Sequence, residues 1–399
     1  MHRFAAIHSP FNTPPASTDS SAVSSVRVSR ADTKYFDPST ASLTTEQKAR
    51  VAIWYALAHT TSLDGFLLNQ VVGFGANGVV IAAETTHPDK GTFHPVAIKL
   101  IYKPKSKRIP ATLTDTPPNE ILALRAIGDT SPHPSILRYV SDHQDLQNFY
   151  LVTELFGSDW LGLVRDLHMG MGVAPRGALP PLVVKERGVI LPFSSGCSDL
   201  WAWSYFERTT SWDRGTGKSV LPAALVRTIL REICEALAHL HALGMYHGDV
   251  KAENVLVNAV DPSSGFKDAV ETASSHRYNV SVRLCDFGHT EMIASSMHHI
   301  GTVDNAPPEF NKDNLRKGAF LDGAKADVYA MGLLVGKLIS SSGLLDDLSD
   351  MSMFGLVQDG VQHKSELELF HELLMGMVAD DPEERWGMDR VARHPWFFL

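Results

Sequence analysis

A glycine cluster between two runs of β-branched residues constrains the fold of this 399-residue chain more than any other feature. Gly73, Gly75 and Gly78 form the pattern GxGxxG, and Val80 follows two residues later. The flanking runs predict two strands joined by a glycine-rich turn. Glycines let backbone N–H groups approach phosphate oxygens without a clash from Cβ. A second strand after the glycines argues against a dinucleotide site, in which the glycines would precede a helix.

A lysine ends the next apolar run, Val-Ala-Ile-Lys, at position 99. Residues 116–128 then predict a helix, with two prolines before its first turn and Gly128 at its end. Glu120 lies in the first turn of that helix and is the expected ionic partner of Lys99. The pair would fix the ammonium group near the phosphates of a nucleotide.

The remainder of the chain divides into a strand, an irregular stretch and a large helical part. Residues 148–157 predict a strand, whereas residues 158–198 are rich in Gly and Pro, show no clear period and predict a loop insertion. From Leu221 onward helical periodicity dominates, above all in residues 222–244 and 326–339.

The N-terminal region has a different composition. Residues 9–30 are mostly Ser, Thr, Pro and Ala, which predicts a disordered tail over residues 1–43 because little apolar surface offsets the entropy of ordering. Thr44 and Gln47 resemble a capping box, which predicts a helical extension within residues 44–65.

Composition narrows the classes of function. A formal net charge of −9, from 36 Lys+Arg against 45 Asp+Glu, argues against a general nucleic-acid binder. No apolar run is long enough for a transmembrane helix. Three widely spaced cysteines favour a reducing compartment, so we expect a cytoplasmic or nuclear protein. A mitochondrial presequence stays open as an alternative, since residues 1–30 hold three arginines and one acid.

Six further motifs follow in a fixed order along the chain. They are YHGDVKAEN at 246–254, CDFG at 285–288, Gly301-Thr302 with Pro307-Pro308-Glu309, DVYAMG at 327–332, DPEER at 381–385 and HPWF at 394–397. Together with the glycine cluster and Lys99, they resemble the motifs of the eukaryotic-type protein kinases. The resemblance covers residues 66–399.

This resemblance implies an α+β, bilobal protein-kinase fold. The expected N-lobe, an antiparallel β-sheet with one helix, covers residues 66–153 and is followed by a hinge at 154–157. The insertion at 158–197 would then precede a larger, mainly helical C-lobe at 198–399.

The resemblance also implies ATP and Mg²⁺ as cofactors and assigns roles to matching positions. Asp249 would accept or orient the proton of the substrate hydroxyl, and Lys251 would lie near the transferred group. Asn254 and Asp286 are the implied Mg²⁺ ligands. The implied ATP-binding residues are Val72, Gly73, Gly75, Gly78, Val80, Ala97, Lys99, Glu120, Glu154, Phe156, Asp199 and Leu256.

Other positions are implied to be architectural or remain open. Glu309 and Arg385 resemble the buried ion pair of the family, and Asp327 would hold the backbone of the catalytic loop. For the ribose contact we prefer Asp199, with Asp159 as the alternative.

Lys251 and Thr302 resemble their counterparts in serine/threonine kinases, so protein substrates with Ser or Thr acceptors are implied for a chain expected to be monomeric. The ending HPWF and the run around the catalytic loop look most like the calcium/calmodulin-kinase-like group. Neither nucleic acid nor a membrane is expected as a partner.

Gly248 departs from the family pattern, because most members carry arginine there. That arginine usually pairs with a phosphorylated residue of the activation segment. We therefore predict that Thr290, Ser295 and Ser296 are not obligatory switches. Two other functions stay open: a small-molecule phosphotransferase, which shares His-Gly-Asp, and a pseudokinase scaffold.

Overall fold

The structure is a computed structural model. It describes residues 43–86, 93–103, 115–162, 179–194, 197–210, 221, 223–260, 279–297, 301–340 and 365–399. The predicted N-terminal tail falls outside these ranges, apart from its last residue.

Helix α1 spans Thr45–His59, and its N-terminus is the capping box read from the sequence. The Thr44 hydroxyl accepts the Gln47 N–H at 3.2 Å, while the Gln47 side chain accepts the Thr44 N–H at 2.8 Å. These two bonds satisfy donors that the first turn of a helix leaves open. The helix buries Ile53 and Ala56 against the neighbouring sheet. The helix lies within residues 44–65, the range in which the capping box predicts one.

A five-stranded antiparallel sheet forms the small lobe. Its strands are β1 (Phe66–Phe74), β2 (Gly78–Thr86), β3 (Phe93–Tyr102), β4 (Tyr139–Gln144) and β5 (Asn148–Glu154), in the order β1-β2-β3-β5-β4. Helix α2 (Asn119–Thr130) lies between β3 and β4 in the chain. Alternate β3 side chains Val96, Ile98 and Leu100 are buried in the core beneath α1. The resulting sheet with one helix is the N-lobe expected from the resemblance.

The insertion contains regular structure that the sequence reading missed. Strand β6 (Leu182–Val184) pairs with β7 (Val189–Leu191) as an antiparallel hairpin. Leu182, Val184 and Leu191 are buried against α1 and the sheet, and Val183 and Ile190 point outward. The reading of this stretch as a loop was therefore wrong. Strands of three residues are too short to establish a period of two.

The second lobe is mainly helical. Its elements are α3 (Leu200–Thr210), α4 (Ala223–Ala242), β8 (Met245–Tyr246), β9 (Val255–Val260), β10 (Asn279–Leu284), β11 (Glu291–Met292), α5 (Lys312–Lys317), α6 (Gly323–Ser340), α7 (Glu366–Met377) and α8 (Met388–Ala392). The long apolar stripes that predicted helices are α4 and α6. Their buried faces share one core with α7 and α8. The α+β, two-lobed architecture is thus confirmed.

A buried ion pair fastens the C-terminal part of this lobe. Arg385, which is 1% exposed, donates to both Glu309 carboxylate oxygens at 2.7 and 3.0 Å and to the Ala379 carbonyl. Removing one partner of such a pair leaves an uncompensated buried charge and destabilises the fold. This contact is therefore architectural, as expected. Within the described ranges, no helix is long and apolar enough to cross a membrane.

Candidate active site

The glycine-rich turn joins β1 to β2 at the edge of the cleft between the lobes. It is closed by a hydrogen bond of 2.9 Å from the Gly75 N–H to the Gly78 carbonyl. Cβ atoms added at Gly73 or Gly75 would meet nothing within 4 Å, whereas one at Gly78 would collide with the Leu100 carbonyl of β3. The first two glycines therefore face open space suited to a ligand, and the third is required by the close approach of a strand.

Lys99 on β3 lies between two carboxylates. Its Nζ is 2.7 Å from Glu120 Oε1, in the first turn of α2, and 3.1 Å from Asp286 Oδ1. Burial disfavours the ammonium ion, but the attraction of Glu120 and Asp286 outweighs it and raises the pKa of Lys99. The lysine is thus held in its charged form at the position predicted for phosphate binding.

Asp249 is 7% exposed and held from three directions. Lys251 Nζ donates to Oδ2 at 2.7 Å, Thr302 Oγ1 donates to Oδ1 at 2.7 Å, and Asn254 Nδ2 donates to Oδ2 at 3.0 Å. Burial opposes ionisation, but these donors outweigh it and lower the pKa of Asp249. The result is an oriented, ionised carboxylate at the floor of the cleft.

Asp327 holds the backbone of the loop that presents Asp249. Its carboxylate accepts the His247 N–H at 2.6 Å and the Gly248 N–H at 2.8 Å, as expected from the family pattern. Oδ2 of Asp327 also lies 2.9 Å from Nε2 of His241, a contact that was not predicted from the sequence.

Gly248, where most family members carry arginine, is in a conformation that only glycine adopts readily. Its φ is +79°, and an added Cβ would lie 2.7 Å from the His289 carbonyl oxygen. An arginine at this position would therefore meet both backbone strain and a clash with the His289 carbonyl. The departure from the pattern is therefore built into the local fold.

Asp286 and Asn254 are suited to holding a divalent cation. The pKa of Asp286 is lowered because Lys99 and its hydrogen bond outweigh the effect of burial. Asn254 uses its Nδ2 on Asp249, so its amide oxygen is the atom that can serve a metal. Oxygen donors of these two kinds suit Mg²⁺, which commonly takes one or two protein ligands and completes its shell with water and phosphate. Among the described residues, no group of three or more His, Cys, Asp or Glu forms an additional metal site.

The residues expected around adenine lie on both sides of the cleft. Ala97 pairs with Thr153 in the sheet above, while Leu256 lies on β9 below. Val72, Val80, Ala97 and Leu256 are all partly buried, as side chains lining an open cleft would be.

In the hinge, the Glu154 carboxylate pairs with Arg283 Nε at 3.1 Å, and Arg283 lies 4.3 Å from the ring centroid of Phe156. These side chains fix the backbone of the segment predicted to contact adenine.

The two candidates for the ribose contact both cap helical turns. Asp159 accepts the Gly162 N–H at 2.8 Å. Asp199 accepts the Ala202 N–H at 2.8 Å at the start of α3, and its backbone bridges to Leu256. Burial raises the pKa of Asp199, with a further increase from the charge of Glu253. Its position beside Leu256 favours Asp199 over Asp159.

Two contacts important for the site were missed. Thr302 was used only to infer the class of acceptor, yet its hydroxyl holds Asp249 directly. The backbone of residues 192–194 pairs with β1 beside the glycine-rich turn. No sequence signal marks either contact, because both join segments far apart in the chain.

One cleft thus combines a glycine-rich turn, a lysine–glutamate pair and an oriented aspartate, which is the arrangement that the resemblance to protein kinases implies. Comparison with known proteins agrees: residues 201–397 match the model of the protein kinase domain. The second, mainly helical lobe, which these residues form, is therefore similar to that of the protein kinases.

Three relatives illustrate the similarity. Serine/threonine-protein kinase PKZ1 of Phytophthora infestans is 30% identical over 44% of this chain and 45% of its own length. Serine/threonine-protein kinase GRIK1 of Arabidopsis thaliana is 20% identical over 84% of this chain and 67% of its length. Human calcium/calmodulin-dependent protein kinase type 1B is 24% identical over 85% of this chain and 77% of its own length. The chain thus spans less than half of PKZ1.

Proposed function

We propose that this protein is an ATP-dependent serine/threonine kinase that phosphorylates protein substrates. The observation that carries the proposal is the simultaneous presence of the Lys99–Glu120 pair, at 2.7 Å, and of Asp249 held by Lys251 and Thr302. The first is arranged to bind phosphates, and the second to orient a hydroxyl group. Both face the same cleft, whose walls carry Asp286 and Asn254.

The roles of the side chains follow from their contacts. Lys99 would bind nucleotide phosphates because Glu120 and Asp286 keep it charged and in place. Asp249 would accept a hydrogen bond from the substrate hydroxyl and take its proton, a role worth about 10²–10⁴ in rate. Lys251, fixed between Asp249 and Thr302, would place its positive charge near the transferred phosphoryl group.

Asp286 and Asn254 would hold Mg²⁺, which supplies charge neutralisation on the phosphates when bound. The fit of a carboxylate and an amide oxygen to this hard cation supports the assignment. Val72, Val80 and Ala97 above and Leu256 below would enclose the adenine, with Asp199 at the ribose.

Three observations support protein rather than small-molecule substrates. The names of all three relatives describe protein kinases. The segment from Gly301 to Glu309, typical of protein kinases, is present and anchored by Arg385. Thr302 contacts Asp249 and Lys251 in the manner that the serine/threonine class implies.

The alternative of a pseudokinase scaffold is disfavoured by the same geometry. Pseudokinases typically lack at least one of the charged residues of the site, whereas here Lys99, Asp249 and Asp286 are all present and paired. A cytoplasmic or nuclear location and a monomeric state remain predictions; the three cysteines are unpaired, which is compatible with a reducing compartment.

The test is transfer of radiolabelled phosphate from Mg-ATP to a generic basic protein, followed by an oriented peptide library. Asp249→Asn is the matched control, because it keeps the size of the side chain and removes its charge. We expect phosphoserine and phosphothreonine with the wild type and a large loss with the variant. Absence of transfer by the wild type, or undiminished transfer by Asp249→Asn, would contradict the proposal.

A further inference from the structure

The post-hinge insertion is hydrogen bonded to the strand that carries the glycine-rich turn. The Val71 N–H donates to the Pro192 carbonyl at 2.9 Å, and the Ser194 N–H donates to the Val71 carbonyl at 2.7 Å. Residues 192–194 therefore run parallel to β1 along its open edge. Val71 lies two residues before Gly73, so the pairing stops where the turn begins.

Phe193, between these two bonds, contacts the turn with its side chain. Phe193 is 8% exposed, and the centroid of its ring lies 5.8 Å from that of the Phe74 ring, with the two planes nearly perpendicular. Perpendicular pairs at this distance are favoured by the aromatic quadrupoles. Phe74 is the last residue of β1 and directly precedes Gly75.

Helix α1 supports Phe193 from its other side. The Arg50 guanidinium lies 4.3 Å from the centroid of the Phe193 ring, a cation–π contact. Arg50 is itself fixed by Glu46 Oε1 at 2.7 Å and the Pro180 carbonyl at 2.6 Å. A continuous series of contacts thus joins α1, the insertion and the glycine-rich turn.

The same segment is attached to the opposite side of the cleft. The backbone carbonyl of Ser198, four residues after Ser194, accepts a hydrogen bond of 2.8 Å from the N–H of Val257, the neighbour of Leu256. The strand above the cleft and the strand below it are thus both hydrogen bonded to the chain that follows the hairpin.

We propose that Phe193 is a positioning residue that holds the glycine-rich turn over the nucleotide phosphates, with Arg50 as its support. The inference rests on the proposed ATP binding. A turn built from glycines has many accessible conformations, and a ligand that orders it loses affinity. Contacts that fix the turn beforehand reduce this cost, so their loss should weaken nucleotide binding and leave the phosphoryl-transfer geometry at Asp249 intact.

The test measures the dissociation constant of a non-hydrolysable Mg-ATP analogue by calorimetry, using the full chain. Phe193→Ala should weaken binding about three- to tenfold, and Phe193→Tyr, which keeps the ring, should restore it to within about twofold. The KM for ATP should rise in parallel, whereas kcat and the KM for a peptide substrate should change less than about twofold. Ile190→Ala, an exposed position on the same hairpin, is the control and should bind as the wild type does.

Hydrogen exchange gives a readout independent of activity. Phe193→Ala should speed exchange of the Val71 amide and of Gly73 and Gly75, while the amides of β5 stay protected. If Phe193→Ala does not fold, Arg50→Gln keeps the question answerable, because it removes the cation and should weaken nucleotide binding in the same direction.

The outcomes separate this inference from the proposed function. A wild type that does not bind the nucleotide overturns both. If the wild type binds the nucleotide, and if Phe193→Ala and Arg50→Gln match it both in affinity and in the exchange rate of the Val71 amide, only the positioning role is overturned. A lower melting temperature of Phe193→Ala with unchanged affinity would likewise show that the hairpin only stabilises the fold.

Discussion

The hydroxyl of Thr302 donates a hydrogen bond of 2.7 Å to the carboxylate of Asp249, from a segment more than fifty residues further along the chain. The same hydroxyl accepts from Lys251 Nζ at 3.1 Å, and Lys251 bonds the other Asp249 oxygen. The three side chains form a closed triangle. The orientation of the proposed base therefore depends on the segment that would also contact the substrate.

Thr302→Ala should lower kcat about tenfold or more, because a hydrogen bond to a charged group is lost. The hydrogen bond from Thr302 also helps to lower the pKa of Asp249, so its loss should raise that pKa. On acidification, the variant should therefore lose activity at a higher pH than the wild type does. The measurement is the pH dependence of kcat. Thr302→Ser, which keeps the hydroxyl, should stay within about threefold of the wild type; an equal loss in both variants would contradict a role for the hydrogen bond.

Lys99→Met should make stability depend on pH. Burial raises the pKa of Glu120, and the variant removes the charge that opposes this effect. A carboxyl group with a raised pKa in the folded state contributes stability below its unfolded pKa and loses it as the pH rises through the folded pKa. The free energy of unfolding of Lys99→Met, relative to the wild type, should therefore increase from about pH 8 to about pH 5 in urea titrations.

The matched control is the double variant Lys99→Met, Glu120→Gln. Its amide does not titrate, so the relative gain in stability on acidification should disappear. An unchanged pH dependence in the double variant would rule out Glu120 as its source.

Gly248→Arg should not convert this protein to the common family pattern. Position 248 combines a φ of +79° with a close approach to the His289 carbonyl, so any side chain meets backbone strain and a steric clash. Gly248→Ala isolates these effects, and Gly318→Ala is its control, since Gly318 has a φ of +64° but open space around it. In thermal and urea unfolding, Gly318→Ala should lower the free energy of unfolding by about 1 kcal/mol. Gly248→Ala should lower it by roughly 1–3 kcal/mol more, because the clash adds to the backbone strain. Equal losses at both positions would refute the clash.

Alanine at Thr290, Ser295 and Ser296 together should leave kinase activity within about threefold of the wild type. The activation segment is anchored without a phosphate: β11 pairs with β8, and Met297 is buried. Deleting the Ser296 hydroxyl removes the acceptor of the Leu321 N–H at 3.0 Å, which should cost stability, whereas the strand pairing and the burial of Met297 still hold the segment for catalysis. Loss of activity in a variant that melts as a folded protein would refute the prediction, and mass spectrometry of the wild-type segment would identify the phosphorylated residue.

Much of the site follows from local sequence. The glycine cluster, Val-Ala-Ile-Lys and the catalytic-loop run each combine a strand or turn signal with a chemically specific residue, so their elements were predictable. The pairing of Lys99 with Glu120 was predictable for the same reason, since a strand and the next helix place them side by side. The hairpin β6–β7 was not, because two strands of three residues carry too little periodicity.

The sequence alone determined the order of most strands and helices, because hydrophobic periodicity and glycine placement act over short distances. The two-lobed class and the charged residues of the cleft were implied by the resemblance of its motifs to those of protein kinases. Only the tertiary structure decided that Thr302 holds Asp249, that an added side chain at Gly248 would strike the carbonyl of His289, and that Phe193 packs beside the glycine-rich turn. Each of these contacts joins segments distant in the chain or depends on a backbone angle. Such contacts are fixed by packing in three dimensions, where the pattern of any single segment no longer determines its neighbours.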